Sequence, residues 1–560
     1  MTATRDFSRF VADFHAHFTR DPNACLALGV ARRTGELPDP TLADRDDRVR
    51  EARRLLARIG ALDARALSFD DRLDLELAAL KLSAEAHQDT LQFNGRTTAA
   101  QKPTAGDDIG DGLFLLFIHD PRPVAERLAD VTSRIRRVPA YLDALLERLD
   151  TPVARWAAMD AEKVRGLPQL FETLRSFADE ARFADRAPLA SACATAEEAL
   201  GAYTRKLAQL PTTTRFHLTP ADAREIVRLR GIEPPLETLH AWAREFLEEN
   251  GATIESLRRR LARKYDLDRD VTVEALQVFL AKKFPVAIAP GDLDGVLRRY
   301  EAERDRILEF IRERDLFPVP DDQTMKILRT PRFMEPSIPA GAMLSPAPFR
   351  DGTRTSLVYL TLREELLDEH TELGIPSMMI HEGIPGHHLQ LATASMHPSV
   401  IRRHIDAMEH AEGWTTMLED YMLDVGYMGD LTDEARFVGK REINRIGARV
   451  AIDLFFMTGE RGFLDVGVDC DLTPPDPFGA AGNLLETVTG FVPARTQAEL
   501  NWYSQERGYP LCYLTGNRLV WALRREHGPG RDRDFHRSYL ESGNMPVSFL
   551  RRVLRARGRI

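Results

Sequence analysis

The sequence predicts a mainly α-helical protein with one small β element placed just before its chemistry. Three observations carry this. From the start to about residue 315, apolar residues recur at helical spacing with few glycines. Between about 316 and 355, prolines and β-prone pieces interrupt that pattern. Beyond it, within further helical segments, runs His381 to His388, H-E-G-I-P-G-H-H.

The helical body reads in order through D-R-V-R-E-A-R-R-L-L-A-R-I-G-A-L, R-L-D-L-E-L-A-A-L-K-L-S-A-E-A, V-P-A-Y-L-D-A-L-L-E-R-L, L-E-T-L-H-A-W-A-R-E-F-L-E-E-N-G and L-R-R-Y-E-A-E-R-D-R-I-L-E-F-I. Asn250-Gly251 is the expected end of one helix. No repeat of fixed period is present, which excludes a solenoid. Prolines at 318, 320, 331, 336, 339, 346 and 348 mark the connector, in which T-M-K-I-L-R is β-prone and D-G-T-R-T-S-L-V-Y-L-T-L predicts a turn and a strand. An edge strand here can bind an extended peptide by main-chain hydrogen bonds; a small structural hairpin is the alternative. C-D-L-T-P-P-D-P-F-G-A-A-G-N predicts a second loop near 470 to 483. The regions are a helical 1–315 and a metal-binding 316–560, expected to form one continuous catalytic unit.

The 560 residues are 43% hydrophobic and 29% charged, which suits a globular protein with ample core. A formal charge of -10 argues against nucleic acid as a partner, and the basic tail R-R-V-L-R-A-R-G-R-I reads as a solvated helix end. Cysteines 25, 193, 470 and 512 form no C-x-x-C pair and fit buried thiols in a reducing compartment. No signal-peptide core and no long apolar stretch are visible, so the expectation is a cytoplasmic chain without a membrane partner.

Zinc peptidases commonly carry H-E-x-x-H, two histidines one turn apart that bind Zn²⁺ and a glutamate that activates water. Here two extra residues intervene. On an unbroken helix His387 would lie about 9 Å along the axis from His381, and His388 about 10.5 Å, though back on the same face. Pro385 lacks the N–H for the His381 carbonyl and clashes with it, so a kink is expected, relieved by Gly383 and Gly386. Such a bulge can bring either His387 or His388 back to His381.

A catalytic zinc site uses three protein ligands, so a third must come from elsewhere. Glu412, 25 residues after His387 (412 minus 387), is the candidate, with Glu409 and Glu419 as competitors. Glu382 is the expected general base. Tyr503, Tyr513 and His536 are the candidate transition-state donors. His15 and His17 read as surface residues, and His397, His404 and His410 as non-ligands.

H-E-G-I-P-G-H-H-L-Q, E-G-W-T-T-M-L-E, R-V-A-I-D at 449 to 453, and Y-S-Q-E-R-G-Y-P-L-C-Y-L-T-G at 503 to 516 resemble the bacterial family called domain of unknown function 885. The resemblance spans most of the chain, is strongest from about residue 340, and includes D-F-H followed by G-N-M-P. That family is similar in outline to helical zincin metallopeptidases of the thimet oligopeptidase and angiotensin-converting enzyme type. It implies a two-lobed helical body around a deep cleft. It also implies zinc ligands His381, His387 and Glu412 with Glu382 as base, His388 substituting for His387 or supporting it. The chain departs from the family pattern at Met417, Met457, Trp502 and Tyr509, which implies a retained metal core with an altered substrate, or with reduced or lost hydrolysis.

The expected function is zinc-dependent hydrolysis of a peptide or small amide. The alternatives are a specialised amide hydrolase in a biosynthetic pathway and a non-catalytic, metal-stabilised peptide-binding protein.

Overall fold

Helical spacing becomes buried helix faces. In the helix Val124–Arg148, residues Leu128, Val131, Ile135, Val138, Leu142 and Leu145 form one stripe that is almost wholly buried. It packs with the helices Ala154–Glu180 and Arg186–Leu207 into one apolar core. Each such leucine contributes about 1.5–3 kcal/mol by leaving water. The computed structural model describes residues 2–289, 291–330, 341–364, 367 and 370–560. It is mainly α-helical with few strands. Pro331, Pro336 and Pro339 lie outside the described residues.

The chain forms two compact units. The first holds residues 1–222 with 347–351 and 399–405; the second holds 223–346, 352–398 and 406–560. Residues 223–315 thus belong to the same unit as most of the C-terminal region. In the first unit, buried Arg402 pairs with Asp70 and Asp74 at 2.7 Å each. His17, expected at the surface, is buried there beside Glu85, and His15 bonds His404 at 2.9 Å.

The second unit corrects two expected boundaries. The helix Leu236–Lys264 runs through Asn250-Gly251, because the Asn250 amide donates to the Lys440 carbonyl (2.7 Å) and bonds Asn444 (3.1 Å) instead of capping its own helix. The loop near 470 ends earlier than expected, since Asp476 caps the Gly479 N–H (3.1 Å) and Pro477 opens a helix to Thr489. Three of the four cysteines are buried, and all are free thiols. Among the described residues, no helix is long and apolar enough to cross a membrane.

The connector forms a sheet of β1 (Gln323–Arg329), β2 (Gly341–Leu344) and β3 (Arg354–Leu360). β3 lies in the middle, parallel to β1 with Gln323 opposite Arg354, and antiparallel to β2 with Leu344 opposite Leu357. The strand expected to offer a free edge is thus central, and the edges belong to β1 and β2. The helices that follow are α1 (Gly374–Glu382), α2 (His387–Ser395), α3 (Met408–Asp424), α4 (Arg445–Thr458), α5 (Pro493–Gln505) and α6 (Cys512–His527).

Candidate metal centre

The two extra residues of the histidine motif are accommodated by a full break between α1 and α2. α1 stops at Glu382, and α2 starts at His387 after Pro385, which has no N–H to continue the ladder. Gly386 lets the chain fold back over the end of α1. A Cβ there would lie 2.0 Å from the His381 carbonyl oxygen and 2.2 Å from that of Ile380. The break sets the His381 and His387 rings with centroids 4.9 Å apart, nearly perpendicular at 82°.

α3 supplies the third group. The Glu412 Oε2 atom is 3.6 Å from His381 Nε2 and 3.4 Å from His387 Nε2, and the three ligand atoms lie within 4.8 Å of one another. Metal–ligand bonds of about 2.0–2.1 Å give a tetrahedron with edges of about 3.3–3.4 Å, so the two contacts to Glu412 fit one small ion. The residues after Glu412 explain its placement. Gly413 lies against Gly516 of α6, where a Cβ would be 2.5 Å from the Gly516 carbonyl carbon. Trp414 donates its indole N–H to the Pro385 carbonyl at 2.9 Å, which ties α3 to the break. Glu419, two turns beyond Glu412, bonds His381 Nδ1 at 2.7 Å and so orients that ring's Nε2 toward Glu412.

The electrostatics follow from these contacts. Burial works against a charged His381, but hydrogen bonds to Glu412 and Glu419 and the charge of Glu382 outweigh it and raise its pKa to about 10. Burial likewise works against a charged Glu412, yet His387 and His381 hold its carboxyl far below the usual range. Glu382 is half-buried, next in sequence to the first ligand.

The other sequence candidates separate. His388 is fully buried and turned to the sheet, with Nδ1 bonded to Ser356 Oγ at 2.7 Å and Nε2 to Gln323. With both nitrogens engaged it stands apart from the converging His381, His387 and Glu412, and burial lowers its pKa to about 4. His536 is also a packing residue, stacked on Phe317 at 4.1 Å with Nδ1 bonded to the Leu316 carbonyl. Tyr503 accepts from Arg449 Nε at 2.8 Å and donates to Glu499, which leaves no proton for a reacting oxygen. Glu409 is buried elsewhere, and burial raises its carboxyl to about 7.

Tyr513 does lie near the centre. It sits one turn before Gly516 on α6, and after burial the largest influence on its hydroxyl is the Glu412 charge, which raises its pKa. Tyr509 is raised by burial and then by Glu412 in the same way. The turn that carries Tyr509 into α6 is held by buried Asp453, whose oxygens accept the N–H groups of Gly508 (3.0 Å) and Leu511 (3.1 Å). Tyr509 and Asp453 were not among the expected site residues, and Glu419 was expected only as a competing ligand. Tyr509 was visible only as a departure from the family pattern.

Comparison with known proteins agrees with the fold. A solved structure from Shewanella oneidensis superposes with a TM-score of 0.76 at 17% identity, over 99% of this chain and 100% of that one. One from Colwellia psychrerythraea gives 0.80 at 14% identity, over 99% of each chain. Both are described as a "putative lipoprotein", the first also "of unknown function". Those descriptions overturn the cytoplasmic expectation, which rested on sparse cysteines and a polar N-terminal stretch. No curated protein matches the chain. The family pattern matches residues 22–554, which include His381, His387 and Glu412, and the chain belongs to the family of bacterial proteins of unknown function DUF885.

Proposed function

We propose that this protein is a zinc-dependent metallohydrolase of the zincin kind that cleaves peptide or related amide bonds. The observation that carries the reading is the meeting of His381, His387 and Glu412 within 4.8 Å of one another, with Glu412 3.6 and 3.4 Å from the two histidines and Glu382 adjoining the first of them. A two-histidine, one-carboxylate set with borderline-soft nitrogen donors suits Zn²⁺ and leaves a fourth position for substrate or water. Zinc, when bound, supplies Lewis acidity toward water and the amide carbonyl.

The chain's own residues do the rest. Glu382 takes a proton from the attacking water and delivers it to the departing amine. The hydroxyls of Tyr513 and Tyr509, kept protonated by burial and by the Glu412 charge, donate to the carbonyl oxygen as it gains charge. Glu419 holds the His381 ring in its ligating tautomer. Glu419→Gln is expected to weaken zinc binding by about 10–100-fold, read by chelator competition. Unchanged affinity would assign Glu419 to packing alone. The lipoprotein description of the structural relatives favours substrates met outside the cytoplasm.

A specialised amide hydrolase is the second reading, favoured by Trp502 and Tyr509, whose rings meet at 5.2 Å where the family pattern has other residues. Metal analysis of protein purified without chelators, coupled to digestion of a peptide library, tests both. About one zinc per chain with broad cleavage supports the peptidase; zinc with cleavage of only a narrow substrate class supports the second. Absence of metal after reconstitution sinks both.

A further inference from the structure

The first unit holds a histidine pair that takes no part in the metal centre. His15, on the helix Thr2–Phe18, and His404, at the end of the short helix Val400–His404, share one hydrogen bond of 2.9 Å between Nδ1 and Nε2. Phenylalanine rings enclose them. The centroids of Phe349, Phe14 and Phe18 lie 4.6, 5.6 and 5.8 Å from that of His404, and Phe349 lies 4.7 Å from His15. His404 is buried, whereas His15 is half-buried and lines a surface pocket with Gly29, Thr34 and Arg350.

We propose that His15 and His404 form an acid-sensitive latch, closed while both rings are neutral and opened by protonation, which releases the helix Thr2–Phe18 from residues 347–351 and 399–405. Residues 399–405 form the middle of the link between α2 and α3, so the latch fixes the chain that runs from His387 to Glu412. It stands independently of the metallohydrolase reading.

Three features make the pair respond to acid. The hydrogen bond needs one ring N–H and one bare ring nitrogen, which two neutral imidazoles supply. One added proton places a charge among apolar rings, and a second removes the bond's acceptor. The neighbouring charges add to that cost. Arg403 sits over the Phe349 ring at 4.5 Å, and Lys81, on the helix Phe69–Thr90, over Phe18 at 4.9 Å. Burial and the positive charges of Lys81 and Arg403 push the His404 pKa far down, and burial with Arg403 and Arg32 lowers that of His15. Carboxylates on the packed elements serve other partners. Asp70 and Asp74 pair with Arg402, Glu85 with His17, Asp13 with Arg58 and Asp120 with Arg122, while Asp351 is exposed. Third, the pocket beside His15 gives protons a way in without unfolding.

The sign follows from the lowered values. Both histidines titrate below about 6.5 in the closed state, so the latch is fully stable above that pH and weakens as pH falls below it. Asp74 has the opposite sign, because burial raises its pKa and acid then favours its folded form.

The test is hydrogen exchange read by mass spectrometry, corrected for the intrinsic pH dependence of exchange, at about pH 7.5 and about pH 5. One imidazole with an open-state pKa of about 6.5 raises the opening constant about 30-fold over that range, so residues 2–18 and 399–405 are expected to lose protection at least about tenfold. His15→Gln combined with His404→Gln keeps polar side chains that do not titrate, and is expected to cut the change to about twofold or less. His404→Gln alone is expected to leave an intermediate response. The helix Arg186–Leu207, which has no histidine, is the internal reference and is expected to keep its protection. Protection that does not change with pH in the native protein, an equal loss in Arg186–Leu207, or a loss that the double substitution leaves intact overturns the latch. Should the double variant not fold, His404→Gln decides, and an undiminished acid response in it overturns the latch.

Discussion

Glu382→Gln is expected to lower hydrolysis by about 10²–10⁴-fold while the protein keeps its zinc. Glutamine preserves size and hydrogen bonding but cannot accept a proton from water at neutral pH. Glu382 is not one of the three converging groups, so its loss leaves the ligand set intact. Its charge is one of several influences on His381, behind the hydrogen bonds from Glu412 and Glu419, so the ring stays anchored. Two measurements on one preparation check this, zinc per chain and the rate on a cleaved peptide. A full rate with full zinc would remove Glu382 from proton transfer. Loss of zinc together with rate would instead make Glu382 part of the metal's support.

Local signals in the sequence transfer well to the structure. The mainly helical character follows from spacing alone, as the stripe Leu128 to Leu145 illustrates. The H-E-G-I-P-G-H-H break was legible because Pro385 acts on its own neighbours. What the sequence leaves open is decided by partners far along the chain. The choice between His387 and His388 turns on Ser356 and Gln323, 32 and 65 residues before His388. Asn250 looked like a helix end because its partners Lys440 and Asn444 lie about 190 residues on. Tyr503 was a plausible donor until Arg449, 54 residues away, engaged its hydroxyl. Side-chain chemistry nominates a residue, and long-range hydrogen bonding decides whether it is available.

The same dependence on distant contacts predicts that one hydrogen-to-methyl change on α6 disrupts the metal centre. A Cβ at Gly516 would lie 2.1 Å from the Glu409 carbonyl oxygen and 2.9 Å from the Gly413 Cα, both backbone atoms of α3. No rotamer relieves a clash between backbones, so α3 and α6 must separate. Overpacking in a core costs about 1–3 kcal/mol, and a contact this close puts Gly516→Ala at about 3 kcal/mol. The separation also moves Glu412, which neighbours Gly413, away from His381 and His387, which α3 reaches through Trp414 and Pro385. Zinc affinity is therefore expected to fall with stability, although Gly516 touches no ligand. Gly439→Ala is the control, since it lies on the helix Thr432–Ile443 with no atom within 4 Å of its Cβ position. There the substitution is expected to stabilise by up to about 1 kcal/mol through helix propensity. Denaturant midpoints and chelator competition on both variants check the prediction. If Gly516→Ala keeps native stability and zinc affinity, close approach of α3 and α6 is not what places Glu412.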